Sequence, residues 1–254
     1  MSRTNNVMVR FKAEGISAIN HYLIYGVPSP FTYWGFVHNL TLKLGVKLKD
    51  ERILPVIHFY KNRMSNGTFL QIRSNQRMNG NKKIGTIVDN PRADIDCSIV
   101  FQYEVNNVEI DEKIIKKQIM KLRFSGGVIL ADSIEVKLTK DENKIYNFVD
   151  KGYIFDEIDI EQTGENIIEA IFNETKPIKG NGWSMPTLLG YSLLEEPQSR
   201  KNTRFGYKHS FAEPYIGIVE YRIYEKFGDE PTTLFEDGWQ IETSNKKIKI
   251  TQGI

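Results

Sequence analysis

Hydrophobic and polar positions over the first 44 residues show two periodicities, which predict a strand followed by a helix. Residues 7–11 place apolar and polar side chains on roughly alternate positions, and the pattern continues past Gly15 to residue 22. From residue 30 apolar side chains recur at helical spacing: Tyr33, Phe36, Val37, Leu40 and Leu44. Ser29 suits the N-cap, and Pro30 suits the first helical position, where no amide donor is needed. We therefore predict a helix over 30–44.

The same patterns divide the next hundred residues into further elements. Strands are predicted over 53–60, 67–73, 96–105 and 128–138, and a helix over 111–122. If 96–105 is set aside as an extra strand, the order is β-α-β-β-α-β, which is that of ferredoxin-like and RRM-like domains. Residues 1–138 are therefore predicted to form an α+β domain of this kind.

Two stretches depart from this domain pattern. Residues 75–90 carry glycines and asparagines without apolar periodicity, which predicts a long basic loop inside the domain. After residue 138, short helices are predicted over 141–149 and 165–172, and strands over 183–194, 215–226, 239–242 and 246–250. We interpret 139–254 as an acidic helical insertion followed by strands that rejoin or extend the first sheet.

Charge is segregated along the chain although its formal net value is only +2. Residues 61–92 carry seven lysines and arginines against one acid, whereas residues 150–174 carry eight acids against one lysine. A local field of one sign attracts a partner of the opposite sign whatever the total charge is. The basic stretch therefore indicates a polyanionic partner, and the acidic stretch indicates either a solvated helix or a docking surface for a basic subunit.

Composition and motifs disfavour several classes of protein. Cys97 is the only cysteine, so the chain can form neither an internal disulfide nor a cysteine-based zinc site. No apolar run approaches the roughly 20 residues of a membrane span, and residues 1–6 lack the apolar core of a signal peptide, so a cytoplasmic protein is expected. The sequence shows no zinc-binding, nucleotide-binding or hydrolase motif, so we expect no metal and no cofactor.

Two basic segments are candidates for nucleic-acid binding, because they join phosphate-neutralising cations with aromatic or amide side chains. The first covers residues 73–83, at the start of the basic loop, and the second covers residues 200–209. The candidates for phosphate contacts are Arg73, Arg77, Lys82, Lys83, Arg200, Lys201, Arg204 and Lys208, and those for base stacking are Phe205 and Tyr207. The alternative is that both segments are solvated loops whose charges keep the protein soluble.

Paired glycines and two tryptophans have alternative roles. Gly126 and Gly127 follow the helix predicted over 111–122, where they allow positive φ and close approach of another backbone, such as RNA phosphate, or serve as a helix C-cap. Trp34 and Trp183 each have glycine and proline nearby in the sequence, which favours a role for both rings as anchors packed in the core.

Catalysis remains an open alternative. Of the four histidines, His38 falls on the predicted first helix and His21 on the strand before it. A metal-free ribonuclease site can be built from a histidine as general base, a tyrosine, and a lysine that stabilises the pentavalent phosphate. A packing or hydrogen-bonding role also suffices for His38.

Three segments in order resemble one known family. Residues 25–40, which include Pro28-Ser29-Pro30 and Gly35-Phe36-Val37-His38, resemble its N-terminal signature. Residues 121–129, with Gly126-Gly127, and residues 182–191, with Gly182-Trp183 and Gly190-Tyr191, resemble two further segments. The family is the subunit of type I-F CRISPR surveillance complexes that holds the 5′ handle of the guide RNA, within the RAMP superfamily. Phe124-Ser125 stands where the family usually has Leu-Ala, and the chain is short for that family.

The resemblance implies a non-catalytic subunit with a ferredoxin-like fold that binds the 5′ handle of the crRNA and caps one end of the backbone filament. It also implies contact with the nearest backbone subunit, and with a larger subunit or target DNA near the protospacer-adjacent motif. In complexes without a large subunit, the loop over 75–90 is the segment expected to read that motif. Two alternatives stay open: a metal-free endoribonuclease that cleaves the crRNA precursor, and an assembly subunit that contacts proteins alone.

Overall fold

The computed structural model describes residues 4–21, 24–63, 91–104, 110–158, 183–203, 206–228, 231–244 and 246–252. The first part contains β1 (Thr4–Ser17), β2 (Ile19–His21), β3 (Ile24–Tyr25), α1 (Pro30–Leu44), β4 (Lys47–Asn62), β5 (Arg92–Glu104), α2 (Glu112–Ile119), β6 (Arg123–Phe124), β7 (Gly127–Ile129) and β8 (Glu135–Thr139). The second contains α3 (Glu142–Ile145), β9 (Tyr153–Ile158), β10 (Trp183–Leu193), β11 (Ala212–Ile223), α4 (Leu234–Asp237), β12 (Trp239–Ser244) and β13 (Lys247–Gln252). The fold is mixed α and β and is dominated by one antiparallel sheet.

Helix α1 confirms the predicted helix over 30–44. Its apolar stripe is buried at Tyr33, Phe36, Val37 and Leu40. Ser29 occupies the N-cap, but its hydroxyl lies 3.3 Å from the Thr32 hydroxyl and caps no backbone amide. The helix ends at Gly45, which adopts the left-handed conformation that glycine tolerates best.

Four strands lie side by side in the order β8-β1-β5-β4, and every neighbouring pair is antiparallel. Strand β5 is therefore central, and the prediction of 96–105 as an extra strand was wrong. The segment is buried on both faces, which explains its nearly unbroken apolar run. The predicted strand over 67–73 lies outside the described residues.

The segment predicted as one strand over 128–138 is divided in two. Strand β7 pairs with β1 at Ala13 and Glu14, and β8 pairs with β1 at residues 6–10. Between them residues 131–133 form a 3-10 turn, because the Ser133 hydroxyl accepts from the Lys12 amide and donates to the Leu130 carbonyl.

Strands of the second part continue the same sheet and close it on itself. Strand β9 meets β4 at the pair Ile57 and Tyr153, and the pairing then runs through β11, β10, β13 and β12. Strand β12 returns to β4, where Trp239 faces Ile53. The six strands β4, β9, β11, β10, β13 and β12 thus form a closed ring. The predicted helix over 165–172 lies outside the described residues.

The two faces of the central strands are covered differently. On one face, side chains such as Val9, Phe11 and Phe101 join the main core with α1 and α2. On the other face a smaller cluster is buried: Met8, Leu54, Val56, Val100, Ile145, Tyr146, Val149, Ile154, Tyr224 and Leu234. Residues around α3 and α4 therefore cover the part of this second face that lies nearest the start of β1.

Among the helices of the described ranges, none has the length and apolar character needed to cross a membrane.

Candidate nucleic-acid interface

The paired glycines lie in a β-hairpin turn. Helix α2 ends at Ile119, and β6 and β7 are joined by Ser125 and Gly126, which have φ values of 45° and 76°. Two consecutive positive φ angles are typical of the tight turn that matches the twist of a hairpin. The prediction that these glycines end a helix was therefore wrong, since a two-residue strand separates them from α2.

The two glycines have different surroundings. A Cβ on Gly127 would lie 2.7 Å from the Glu14 carbonyl oxygen and 2.8 Å from the Ile16 amide nitrogen. The backbone that approaches Gly127 is thus that of β1. Gly126 is exposed, and the nearest side-chain atom to its added Cβ would be Arg92 Nη1 at 4.0 Å. Of the two predicted glycines, Gly126 is the one that a phosphate can approach.

Two arginines flank the Gly126 turn. Arg92 Nη1 donates to the Gly15 carbonyl at 2.9 Å, and Arg123 Nη1 donates to the Gly126 carbonyl at 3.4 Å. The Arg63 amide donates to the Arg92 carbonyl at 2.8 Å, so the chain enters and leaves the stretch 64–90 beside this turn. The predicted contacts Arg73, Arg77, Lys82 and Lys83 lie in that stretch, outside the described residues.

The residues around the Gly126 turn continue onto the face of the sheet opposite the main core, as the cross-strand pairs show. Directly paired residues of antiparallel strands share a face. One row joins Phe59 with Asp96 and Lys12, and the next joins Lys61 with Asp94. A third set joins Glu14 with Val128 and Arg123. We call these residues, together with Arg63, the strand-end surface: Lys12, Glu14, Phe59, Lys61, Arg63, Asp94, Asp96, Arg123 and Val128.

The carboxylates of the strand-end surface are all ion-paired. Arg63 Nε contacts Asp94 at 2.7 Å, and Arg63 Nη2 contacts Glu14 at 3.1 Å. Asp96 receives two hydrogen bonds from Arg10, at 3.0 and 3.1 Å. Burial by itself raises the pKa of Asp94, but the Arg63 guanidinium and the Gly15 amide outweigh it and hold that pKa below its usual value.

The remaining cations of this surface are available to a polyanion. Within the described ranges Lys12, Lys61 and Arg123 form no ion pair, and all three are exposed. Sequence reasoning did not select these residues individually. The charge bias of residues 61–92 was the available signal for Lys61, Arg63 and Arg92.

His58 anchors a polar network beside the strand-end surface. Its Nδ1 lies 2.9 Å from the Lys151 carbonyl, which can only accept, so Nδ1 carries the proton. Its Nε2, 2.7 Å from the hydroxyl of the fully buried Ser98, therefore accepts. Desolvation lowers the pKa of His58, and the hydrogen bond to the Lys151 carbonyl only partly opposes that effect.

This geometry predicts that the folded protein loses stability as the pH falls below about 6.5. The pKa of unfolded histidine is about 6.5 and that of folded His58 is lower, so between the two values the unfolded chain binds more protons. The contribution of His58 is complete above pH 6.5 and declines until the pH reaches the lowered pKa. Urea midpoints at pH 8.0, 6.5 and 5.5 should fall less for His58→Gln than for the wild type. His209→Gln is the matched control and should follow the wild type, and equal slopes for all three proteins would contradict the assignment.

The second predicted segment lies in an arm between the end of β10 and the start of β11, of which residues 194–203 and 206–211 are described. The arm is closed by backbone hydrogen bonds between Gln198 and His209 at 2.8 and 2.9 Å. Arg200 is used inside the arm, where it pairs with Glu195 and lies 4.6 Å from the ring centre of Phe211. Its availability to phosphate is correspondingly reduced.

Other candidates of the arm face solvent. Lys201 and Lys208 are exposed, and Tyr207 is 72% exposed. Arg204 and Phe205 lie outside the described residues. In the order of the sheet, β9, β4, β5 and β1 separate the strands of the arm from the hairpin of Gly126. The two predicted elements are therefore separate basic features.

His38 has a packing role in this structure. Its ring stacks on Trp34 with centroids 4.7 Å apart and planes inclined by 14°, and Trp34 Nε1 donates to the Glu51 carbonyl at 3.0 Å. Trp34 is partly buried against the main core, as core anchoring predicts. The side chains of His21 and Trp183 lie outside the described part. The described ranges contain no group of three or more His, Cys, Asp or Glu side chains placed to hold a metal.

Comparison with known families gives one match. The model of the family described as CRISPR-associated protein (Cas_Csy2) matches residues 7–152, which is more than half of the chain. The chain belongs to the Cas_Csy2 family. It is therefore a type I-F CRISPR complex subunit, as the sequence resemblance indicated. No curated protein gives a significant match.

The part matched to Cas_Csy2 contains most of the site. It includes β1 from Val7 onward, β2 to β8, the Gly126 turn, Arg92, Arg123 and every residue of the strand-end surface. The arm over 194–211 and strands β9 to β13 lie beyond it. The Gly126 turn and the strand-end surface therefore lie within the part of the chain that the family model matches.

Proposed function

We propose that this Cas_Csy2 protein is a non-catalytic RNA-binding subunit that holds the 5′ handle of the crRNA and caps one end of the backbone filament. The observation that carries the proposal is the exposed Gly126 turn between Arg92 and Arg123, beside Arg63 and Arg92, which flank the strongly basic stretch 64–90. Arginines neutralise phosphates, and an exposed glycine lets a nucleic-acid backbone approach the chain closely.

The strand arrangement supports the ferredoxin-like assignment within this proposal. The elements β1, α1, β4, β5, α2 and β8 follow one another as β-α-β-β-α-β, with both helices on one face. Such a unit leaves loops and strand ends for the ligand. The proposed partners are the crRNA handle, the nearest backbone subunit and a larger subunit. A further proposed ligand is target DNA near the protospacer-adjacent motif, contacted by the loop over 75–90.

The test is binding of the purified chain to a labelled 5′ handle, compared with a scrambled RNA of equal length, in the presence of a chelator. We expect tighter binding of the handle and intact RNA on a denaturing gel. Absence of binding at low salt would overturn the proposal in favour of a subunit that contacts proteins alone. Cleaved RNA would instead establish the metal-free endoribonuclease, and His38→Ala would then be examined for loss of cleavage.

Replacing Arg123 with glutamine should weaken handle binding and reduce its salt dependence. One lost phosphate contact on a single strand lowers the slope of log K against log salt by about 0.7. Fluorescence anisotropy at four salt concentrations measures both quantities. Lys43→Gln is the matched control, because this exposed lysine lies in the last turn of α1, about 15 Å along the helix from Tyr33, whose ring contacts Phe124 of the hairpin. Equal slopes for Arg123→Gln and the wild type would remove Arg123 from the interface.

A further inference from the structure

We propose that the ring of Phe59 is a base-stacking position, at which one nucleotide of single-stranded RNA lies across the strand-end surface. The proposal rests on the function proposed above, and it adds the residue that holds a base to the residues that hold phosphates. Phe59 is 55% exposed, in the middle of a row that also contains Asp96 and Lys12.

A β-bulge is responsible for the outward direction of Phe59. In β4, Ile53 and Ile57 face the main core, so regular alternation would bury residue 59 beside them. The pairing with β5 shifts between Ile57 and Phe59, and after this shift Tyr60 packs against the core instead. Bulges that redirect one side chain are frequent at binding sites. The backbone thus presents a large apolar ring to solvent at this point.

Charge around the ring favours a nucleic acid over a protein partner. Lys61 follows two residues later on the same face, about 7 Å along the strand, and Lys12 lies two strands away, about 10 Å. The neighbouring carboxylates are neutralised by Arg63 and Arg10. The phosphates on either side of a base stacked on Phe59 would therefore lie within reach of Lys12 and Lys61. Within the described ranges, neither ammonium group forms an ion pair with a carboxylate.

Val128 and Arg123 continue the surface toward the Gly126 turn. Val128 is 53% exposed and pairs with both Glu14 and Arg123. The apolar and cationic side chains thus run from the β4–β5 hairpin to the turn on one face. A single strand that contacts Arg123 near Gly126 and crosses this face meets Phe59 beside Lys61 and Arg63.

Phe227 provides a matched control. It is also an exposed phenylalanine, at 80%, and a lysine, Lys226, lies 5.5 Å from its ring centre. It follows β11, outside the strand-end surface and outside the residues that the family model matches. Its replacement therefore tests whether any exposed phenylalanine with a nearby cation contributes to RNA binding.

The experiment compares Phe59→Ala and Phe59→Trp with Phe227→Ala and Phe227→Trp, in the full chain, using the handle RNA. We expect Phe59→Ala to weaken binding about tenfold with an unchanged salt slope, because stacking involves no charge. Phe59→Trp should keep the affinity, and its added indole fluorescence should be quenched by RNA. Both Phe227 variants should match the wild type in affinity, and neither should show added quenching.

The results separate this inference from the proposed function. Suppose that the wild type binds the handle, that Phe59→Ala binds it within twofold of the wild type, and that Phe59→Trp shows no added quenching. This result would overturn the stacking position alone. A wild type that binds no RNA would overturn both. Because Phe59 is exposed, the variants should fold normally, and matching circular dichroism spectra would establish this before the affinities are compared.

Discussion

Replacing Trp239 with alanine should lower the free energy of unfolding by about 3–5 kcal/mol, the range for removal of a large buried aromatic side chain. Trp239 is fully buried, packs edge-on against Phe155 with centroids 6.5 Å apart, and pairs with Ile53 where β12 closes the ring of strands. Its Nε1 donates to the Phe155 carbonyl at 3.3 Å. Gln252 also donates to this carbonyl, so the loss arises mainly from the cavity.

Urea unfolding followed by far-ultraviolet circular dichroism measures this loss. Trp34→Ala is the matched control, because its ring is only partly buried and packs on the edge of the same core. Partial burial predicts a loss of roughly 1–2 kcal/mol. Equal losses for the two tryptophans would contradict the view that Trp239 is the anchor of the ring.

Gly127→Ala should destabilise the protein by about 3 kcal/mol, whereas Gly126→Ala should cost about 1 kcal/mol. A Cβ on Gly127 would lie 2.7 Å from the Glu14 carbonyl oxygen and 2.8 Å from the Ile16 amide, and these backbone atoms are fixed by the pairing of β1. A Cβ on Gly126 would meet only Arg92 Nη1 at 4.0 Å, an ordinary contact, so the φ of 76° is what opposes the substitution.

The same pair of variants separates folding from binding. The affinity of Gly126→Ala for the handle is measured at a temperature where this variant is fully folded. Weaker binding under that condition would come from the exposed turn itself and not from unfolding. Any loss of binding by Gly127→Ala should follow its folded fraction, as measured by circular dichroism. A Gly127→Ala protein as stable as the wild type would show that β1 can move away from the hairpin, contrary to the close approach described above.

The periodicity of apolar residues identified the elements that bury one face against the core and expose the other. Helix α1 was predicted because its apolar stripe at Tyr33, Phe36 and Leu40 faces the core and its ends carry proline and glycine. Strand β9 was missed because its residues fall within the acidic stretch, where Asp156 and Glu157 conceal the buried Ile154 and Phe155. These acids are held by Arg222 and Lys249, which are distant in sequence.

The candidate site was predictable in part. The run of charge over 61–92 pointed to the region of Arg63 and Arg92, and the paired glycines pointed to an exceptional backbone position. The sequence could not reveal that Gly127 is required by β1, since that approach joins residues more than a hundred positions apart. Nor could it reveal the exposure of Phe59, which depends on a bulge in a strand whose apolar residues otherwise indicate burial.

Closure of the strand ring has a consequence for synthesis of the chain. Strand β4 emerges early, but its partner strands β9 and β12 begin at Tyr153 and Trp239. Until residues 239–244 have left the ribosome, one edge of β4 retains unpaired amides and carbonyls beside apolar side chains, and such edges promote aggregation. The segment matched by the family, produced alone, would carry the same open edge. We therefore expect this edge of β4 to stay exposed on a nascent chain until β12 is made, unless a chaperone or a partner subunit covers it.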